Sequence, residues 1–212
     1  MPRTILPGAS AFLPDRIKAE TLRESVQKCR GCELYRNATQ AVMGEGPQSA
    51  QIMFVGEQPG GVEDREGSPF MGPAGKILDR AFADAGIDRS SVYLTNAVKH
   101  FKFDERGKRR IHKKPSVSEV NACRPWLEAE VSLIQPKIIV CLGATAAQSV
   151  LGPQFRLTKE RGHFVEHAWA PYVTATIHPS AILRAPDQDS RHAQYQEFVA
   201  DLKRIRGILS AH

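Results

Sequence analysis

The chain has 212 residues, 42% of them hydrophobic, enough for one well-buried core, so a single domain is expected. Its formal net charge is +6, and Ala97 to Lys114 alone carries eight Lys/Arg against two Asp/Glu, a local net of +6. Such a basic chain favours an anionic partner, nucleic acid first, whereas no apolar run is long enough to span a bilayer.

Met1–Pro14 lacks the charged start, long apolar stretch and cleavage site of a secretory signal. A cytoplasmic protein of bacterial type is therefore expected, monomeric, without a membrane partner, and loosely ordered over residues 1–14. Asp15 to Lys28 reads as a helix leading into Cys29-Arg30-Gly31-Cys32. Gln51–Gly56 is a short apolar run ending in a Gly/Pro turn, hence a buried strand. Pro73 to Ala85 reads as a helix: proline suits the first turn, Ile77, Leu78, Ala81, Phe82 and Ala85 make an apolar stripe, and Gly86 ends it. Val92–Asn96 is the next strand. Lys108 to Lys114 is a basic loop carrying His112. Ser116 and Glu119 fit a capping box for a helix through Ile134. Lys137–Leu142 is a third strand, Ala144–Leu151 a helix, Tyr172–Ile177 a fourth strand, and about Asp189 to Ile208 an amphipathic helix. Nearly all-apolar strands alternating with helices predict an α/β/α sandwich around a mainly parallel four-stranded sheet.

In such folds ligands bind beyond the carboxyl ends of the strands. Those ends read Gly56-Glu57-Gln58-Pro59-Gly60, Thr95-Asn96, Leu142-Gly143-Ala144 and His178-Pro179-Ser180. The Gly/Pro turn brings backbone N–H groups close to a ligand and points Glu57 or Gln58 into a cleft, or is an ordinary strand-to-loop turn. Phe70, just before a helix, is a stacking platform for a base or a core residue. Asn96 offers a donor and an acceptor to one edge of a nucleobase, or caps a turn. His178 donates to a carbonyl oxygen on which charge develops, or is a solvated loop residue. The four cysteines are unsuited to a disulfide framework in a reducing compartment. Cys29 and Cys32 read as metal ligands, with Cys123 and His100 as the remaining pair and Cys141 a buried free thiol. Three thiolates and one imidazole suit structural zinc or an iron–sulfur cluster.

In order, the motifs are CxxC, GExPG, PFxGxAG, YxTNxVK, a helix cysteine before Trp126, LGA and HPS. Together, over about Cys29 to Arg184, they resemble the uracil-DNA glycosylase superfamily in its iron–sulfur, family 4-like branch. Two departures stand out. Family 4 members carry a cysteine directly after TNxVK, where this chain has His100. The stretch to Cys123 is also longer and contains Lys108-Arg-Arg-Ile-His112. With Gln58 in the GEQPG turn, these features resemble the UdgX-type branch, whose members excise uracil and stay covalently attached to the abasic deoxyribose through the loop histidine.

The resemblance implies that a uracil nucleotide is flipped from DNA, single-stranded or duplex, into a pocket. Phe70 stacks on uracil and Asn96 reads its edge. The backbone of Glu57–Gln58 and the side chain of His178 stabilise charge on the leaving base, which is released as free uracil. His112 then adds to the anomeric carbon in place of water, and Glu57 orients His112, accepts its proton or positions water. Lys108, Arg109, Arg110 and Lys113 hold phosphates, Ser180 and Arg184 contact DNA, and Ile182-Leu183 wedge the duplex. Cys29, Cys32, His100 and Cys123 hold a 4Fe-4S cluster. The rival readings are a multiple-turnover glycosylase with His112 as a phosphate contact, and a zinc-stabilised nucleic-acid-binding module.

Overall fold

The structure is a computed structural model that describes residues 6–107 and 109–210. Its strands are β1 (Ile52–Gly56), β2 (Tyr93–Asn96), β3 (Phe103–Arg106), β4 (Arg109–His112), β5 (Ile138–Leu142), β6 (Val165–His167) and β7 (Ala170–Thr176). Its α-helices are α1 (Ala19–Gln27), α2 (Glu63–Glu66), α3 (Pro73–Ala85), α4 (Val117–Ile134), α5 (Ala144–Leu151), α6 (Leu157–Glu160), α7 (Pro179–Leu183) and α8 (Gln188–Ser210).

The central sheet runs β2-β1-β5-β7-β6, parallel except for β6, which pairs antiparallel with β7. It therefore has five strands rather than the expected four. β6 is three residues long and carries Glu166 between Val165 and His167, so it lacks the apolar run that marks a buried strand. The β1 side chains alternate across the sheet. Ile52 and Phe54 pack with Leu78 and Phe82 of α3 and Phe198 and Leu202 of α8, while Met53 and Val55 pack with Leu127 and Val131 of α4 and Ala147 of α5. Two apolar layers thus lie between helices, the expected sandwich.

Ser116 and Glu119 form the expected capping box at the start of α4, and Gly86 ends α3 at φ 69°. α1 begins at Ala19 rather than Asp15, with Thr21 Oγ1 accepting from the Lys18 N–H. The N-terminal segment is corrected from Gly8 onward: Ala9–Phe12 form a 3₁₀ turn, Ala9 is buried with Trp126 and Cys123, and the Gly8 N–H donates to the Gly31 carbonyl. Gly31 permits this approach, since a Cβ there would lie 2.4 Å from Gly8 C.

The basic loop is corrected too. It is a hairpin, β3 paired with β4 from Phe103↔His112 to Arg106↔Arg109, with Gly107 at φ 59° in the left-handed region that tight hairpin turns require. Lys108 lies outside the described residues.

Candidate active site

The carboxyl ends of β1, β2, β5 and β7 open into a cleft of about 680 Å³. Glu57, Gln58, Phe70, Asn96, Thr145 and His178 line it, with Ile111, His112, Lys114, Ser180, Leu183 and Arg184 toward the hairpin and α7. Gly56 sets how tightly the floor closes: a Cβ there would stand 2.3 Å from Asn96 Oδ1 and 2.8 Å from Phe70 Cζ. Phe70 has φ 58°, a strained value for a bulky residue. It is held by its own neighbours, because Gly75 lets α3 ride against the Phe70 carbonyl, where any Cβ would collide at 1.7 Å. Glu63 fastens the same corner, accepting from Gly72 N–H at 2.8 Å and Gly60 N–H at 3.0 Å.

Opposite Phe70 stands His178, ring centroids 6.3 Å apart and planes inclined at 27°. His178 Nδ1 accepts from the Ser180 N–H at 3.1 Å, so the proton of the neutral ring sits on Nε2. Ser180 Oγ lies 2.7 Å from the same Nδ1 and accepts from Arg184 Nη1 at 3.0 Å. Burial, with Arg184 and His112 nearby, pushes the His178 pKa down to about 4. At neutral pH the ring is an uncharged N–H donor. Asn96 is 3% exposed, and among the described residues no protein group bonds its side-chain amide, which leaves a donor and an acceptor for a ligand.

His112 reaches the cleft from the hairpin, half-exposed. Its Nε2 is 2.9 Å from Gln58 Nε2 and 3.4 Å from Glu57 Oε1. Gln58 Nε2 has two N–H groups and three acceptors within reach, His112 Nε2 and the Lys102 and Lys113 carbonyls, and the His112 tautomer with its lone pair on Nε2 is the one that can share them. Gln58 Oε1 accepts from Lys102 N–H, which fixes the side chain to the hairpin's base. Glu57 Oε2 accepts from the Thr145 hydroxyl at the start of α5.

The uracil DNA glycosylase superfamily profile matches residues 43–203. The chain belongs to that superfamily. A type-4 uracil-DNA glycosylase of Thermotoga maritima is 38% identical over 173 residues, covering 81% of this chain and 86% of that protein. One of Sulfurisphaera tokodaii is 39% identical over 178 residues, covering 79% and 77%. A type-5 uracil-DNA glycosylase of Thermus thermophilus is 29% identical over 189 residues, covering 79% and 81%. Within this glycosylase fold, no helix among the described residues is long and apolar enough to cross a membrane.

The basic residues of the superfamily member's hairpin do not act alike. Arg109 is exposed. Arg110 points away from the cleft: it pairs with buried Asp64 at 2.8 Å and lies over the Phe103 ring at 4.8 Å. Lys113 pairs with Asp104 at 3.0 Å. Lys114, which the sequence reading did not single out, lines the cleft. The wedge pair also divides. Ile182 is 1% exposed and belongs to the core, so only Leu183 is available at the rim.

Cys29, Cys32 and Cys123 gather in one apolar cluster under α4, and Cys141 is a fully buried free thiol in β5. Among the described residues no three of the expected ligands close into a metal-binding group. The donor set nevertheless fits a thiolate-held metal centre. Trp126 Nε1–H points at Cys29 Sγ at 3.2 Å and Lys99 N–H at Cys123 Sγ at 3.2 Å, the N–H contacts that stabilise sulfur carrying negative charge. Burial holds the Cys123 thiol up at about 12, so a nearby cation is what would ionise it. His100 is buried, and its pKa is lowered to about 4, first by that burial, leaving the ring neutral with a lone pair.

Four buried carboxylates escaped the sequence reading: Glu63, Asp64, Glu130 and Asp201. Glu130 had a signal. It falls four residues after Trp126 and three after Leu127, on the apolar stripe of α4.

Proposed function

We propose that the protein excises uracil from DNA and that His112 then captures the abasic sugar. Phe70 offers uracil a face, Asn96 offers its amide to the base edge, and neutral His178 directs Nε2–H at the oxygen that becomes anionic as the bond breaks. Cytosine is rejected because its amine would leave a buried amide unpaired. Cleavage of the C1′–N1 bond sends its electron pair to uracil and leaves an oxocarbenium-like sugar. The His112 Nε2 lone pair forms the new bond to C1′, and the ring proton on Nδ1 passes to solvent. Glu57 stabilises the imidazolium while it exists. Held beside the reacting carbon, the imidazole outcompetes water through its high effective concentration.

The carrying observation is the position of His112 Nε2 at the cleft, 3.4 Å from Glu57 Oε1 and 2.9 Å from Gln58 Nε2. Arg109, Lys114, Arg184 and Lys108 are the proposed phosphate contacts, with Ser180 beside them. Arg110 and Lys113 act through the hairpin. Cys29, Cys32, Cys123 and His100 are the proposed ligands of a 4Fe-4S cluster, which supplies a structural cross-link when bound. No chemical step runs through it.

A multiple-turnover glycosylase is the second reading. It is supported by the type-4 relatives and by Glu57, a carboxylate equally able to orient water. Counting uracil released per protein molecule separates the two. At most one is expected for capture, accompanied by a heat-stable shifted band on a denaturing gel with uracil-containing single-stranded DNA. Many uracils and no band would leave the turnover reading in place.

A further inference from the structure

The superfamily motif Tyr93-x-Thr95-Asn96-x-x-Lys99 supplies one exposed-to-ligand residue, Asn96, and three that turn to the opposite side. Tyr93 and Thr95 share a face of β2, and Lys99 follows on the loop. All three reach the same buried carboxylate. Glu130 Oε1 accepts from Tyr93 OH at 3.2 Å and from Gly44 N–H at 2.7 Å, and Oε2 accepts from Thr95 Oγ1 at 2.8 Å. Lys99 Nζ donates to Glu130 Oε2 at 2.5 Å, to Thr95 Oγ1 at 2.7 Å and to the Asn96 carbonyl at 2.7 Å. Both charged side chains are fully buried.

We infer that Lys99 and Glu130 are positioning residues that fix the peptide carrying the base-reading amide of Asn96. This rests on the uracil-excising reading of the same cleft. A buried ion pair is weak support for stability, because desolvating two charges offsets most of their attraction. Its place in the fold gives it another use. The peptide after Asn96 is held from one side by β1 and its turn, where Ala97 N–H donates to the Gly56 carbonyl at 2.9 Å and Val98 N–H to the Glu57 carbonyl at 3.0 Å. From the other side the ammonium of Lys99 holds the Asn96 carbonyl. With the backbone clamped on both sides, the Asn96 amide keeps its aim into the cleft although no protein group bonds it there. Glu130 holds the ammonium in place and is itself held by three further donors, so the clamp has one geometry.

The test compares wild type with Lys99→Met/Glu130→Gln and with Glu130→Gln alone, each isolated with its native cofactor content. The double variant removes both charges together, and the glutamine carbonyl still accepts from Gly44 and Tyr93, so no unpaired charge is buried. Single-turnover reactions on uracil-containing single-stranded DNA give a rate constant, an amplitude and a half-saturating DNA concentration. A displaced amide lowers the rate constant at saturating DNA by about 10- to 100-fold, the cost of a misplacement near 1 Å, and leaves the amplitude and the half-saturating concentration as in wild type. A merely structural role lowers the amplitude, as fewer molecules fold, and leaves the rate constant of the remainder unchanged. That outcome in both variants overturns the inference. If the double variant does not fold, Glu130→Gln decides alone, with a rate constant lowered about tenfold in support and an unchanged one against. Crystal structures of the variants provide a readout free of uracil chemistry. A wild type inert on uracil would sink the functional reading, while a shifted or unshifted Asn96 would still decide whether the pair positions it.

Discussion

Asn96 and His112 face the same cleft from opposite kinds of structure. Asn96 ends β2, the edge strand of the main sheet, is 3% exposed, and has its peptide gripped by β1, by the β1 turn and by a buried ion pair. His112 ends an outlying two-stranded hairpin and is half-exposed. It is tied in by Gln58 and, two residues earlier, by the Arg110–Asp64 pair. The contrast separates two tasks. In the proposed function, base recognition is assigned to the buried end of β2 and capture to the separate hairpin, so altering the hairpin should spare recognition.

That separation can be broken most directly at His112. His112→Gly is expected to abolish the covalent band and to release free uracil and abasic DNA, since water regains the anomeric carbon; retention of the band would place the nucleophile elsewhere. Next in size is Gly56→Ala, which drives a methyl against both Asn96 Oδ1 and Phe70. It should suppress uracil release and adduct together, unlike the hairpin change, and a normal release rate would show that the floor is looser than its geometry. Asn96→Ala should cost about 1–3 kcal/mol of transition-state stabilisation, about 5- to 150-fold in excision rate, with adduct formed per uracil released unchanged. Arg110→Ala should slow capture severalfold while sparing excision, read as a rising share of abasic DNA without adduct.

The smallest effect concerns pH. A His178 pKa lowered to about 4 in the folded protein means that unfolding takes up a proton below the ordinary histidine value of 6.5. The contribution of His178 to stability is therefore complete above about 6.5 and is lost as the pH falls from there toward 4. The unfolding midpoint should drop across that window, and His178→Gln should reduce the drop. An identical pH profile in the variant would argue that the ring is not buried as a neutral group.

Four apolar strands and the long helices were legible because β1, β5 and most of β7 are buried on both faces, which leaves continuous apolar runs in the sequence. β6 and the β3–β4 hairpin were not, because short exposed strands of charged residues have no apolar period; only Gly107 hinted at the turn. The rim residues Glu57, Asn96 and His178 were readable as polar groups placed where strands end. Their supports were not. Glu63 and Asp64 look like surface acids in sequence, and only the partners brought by folding, two backbone N–H groups for Glu63 and Arg110 with Thr39 N–H for Asp64, account for their burial. Ile182 and Leu183 could not be told apart until α7 turned one inward and the other to the rim.

Capture as proposed bonds a ring nitrogen of His112 to the sugar from which uracil has left. Wild-type protein incubated with a short uracil-containing oligonucleotide, digested with protease and nuclease and analysed by mass spectrometry, should carry a deoxyribose-derived mass on the peptide containing His112, with none on the His112→Gly protein. Free uracil in the supernatant with every His112 peptide unmodified, or the added mass on another residue, would contradict it.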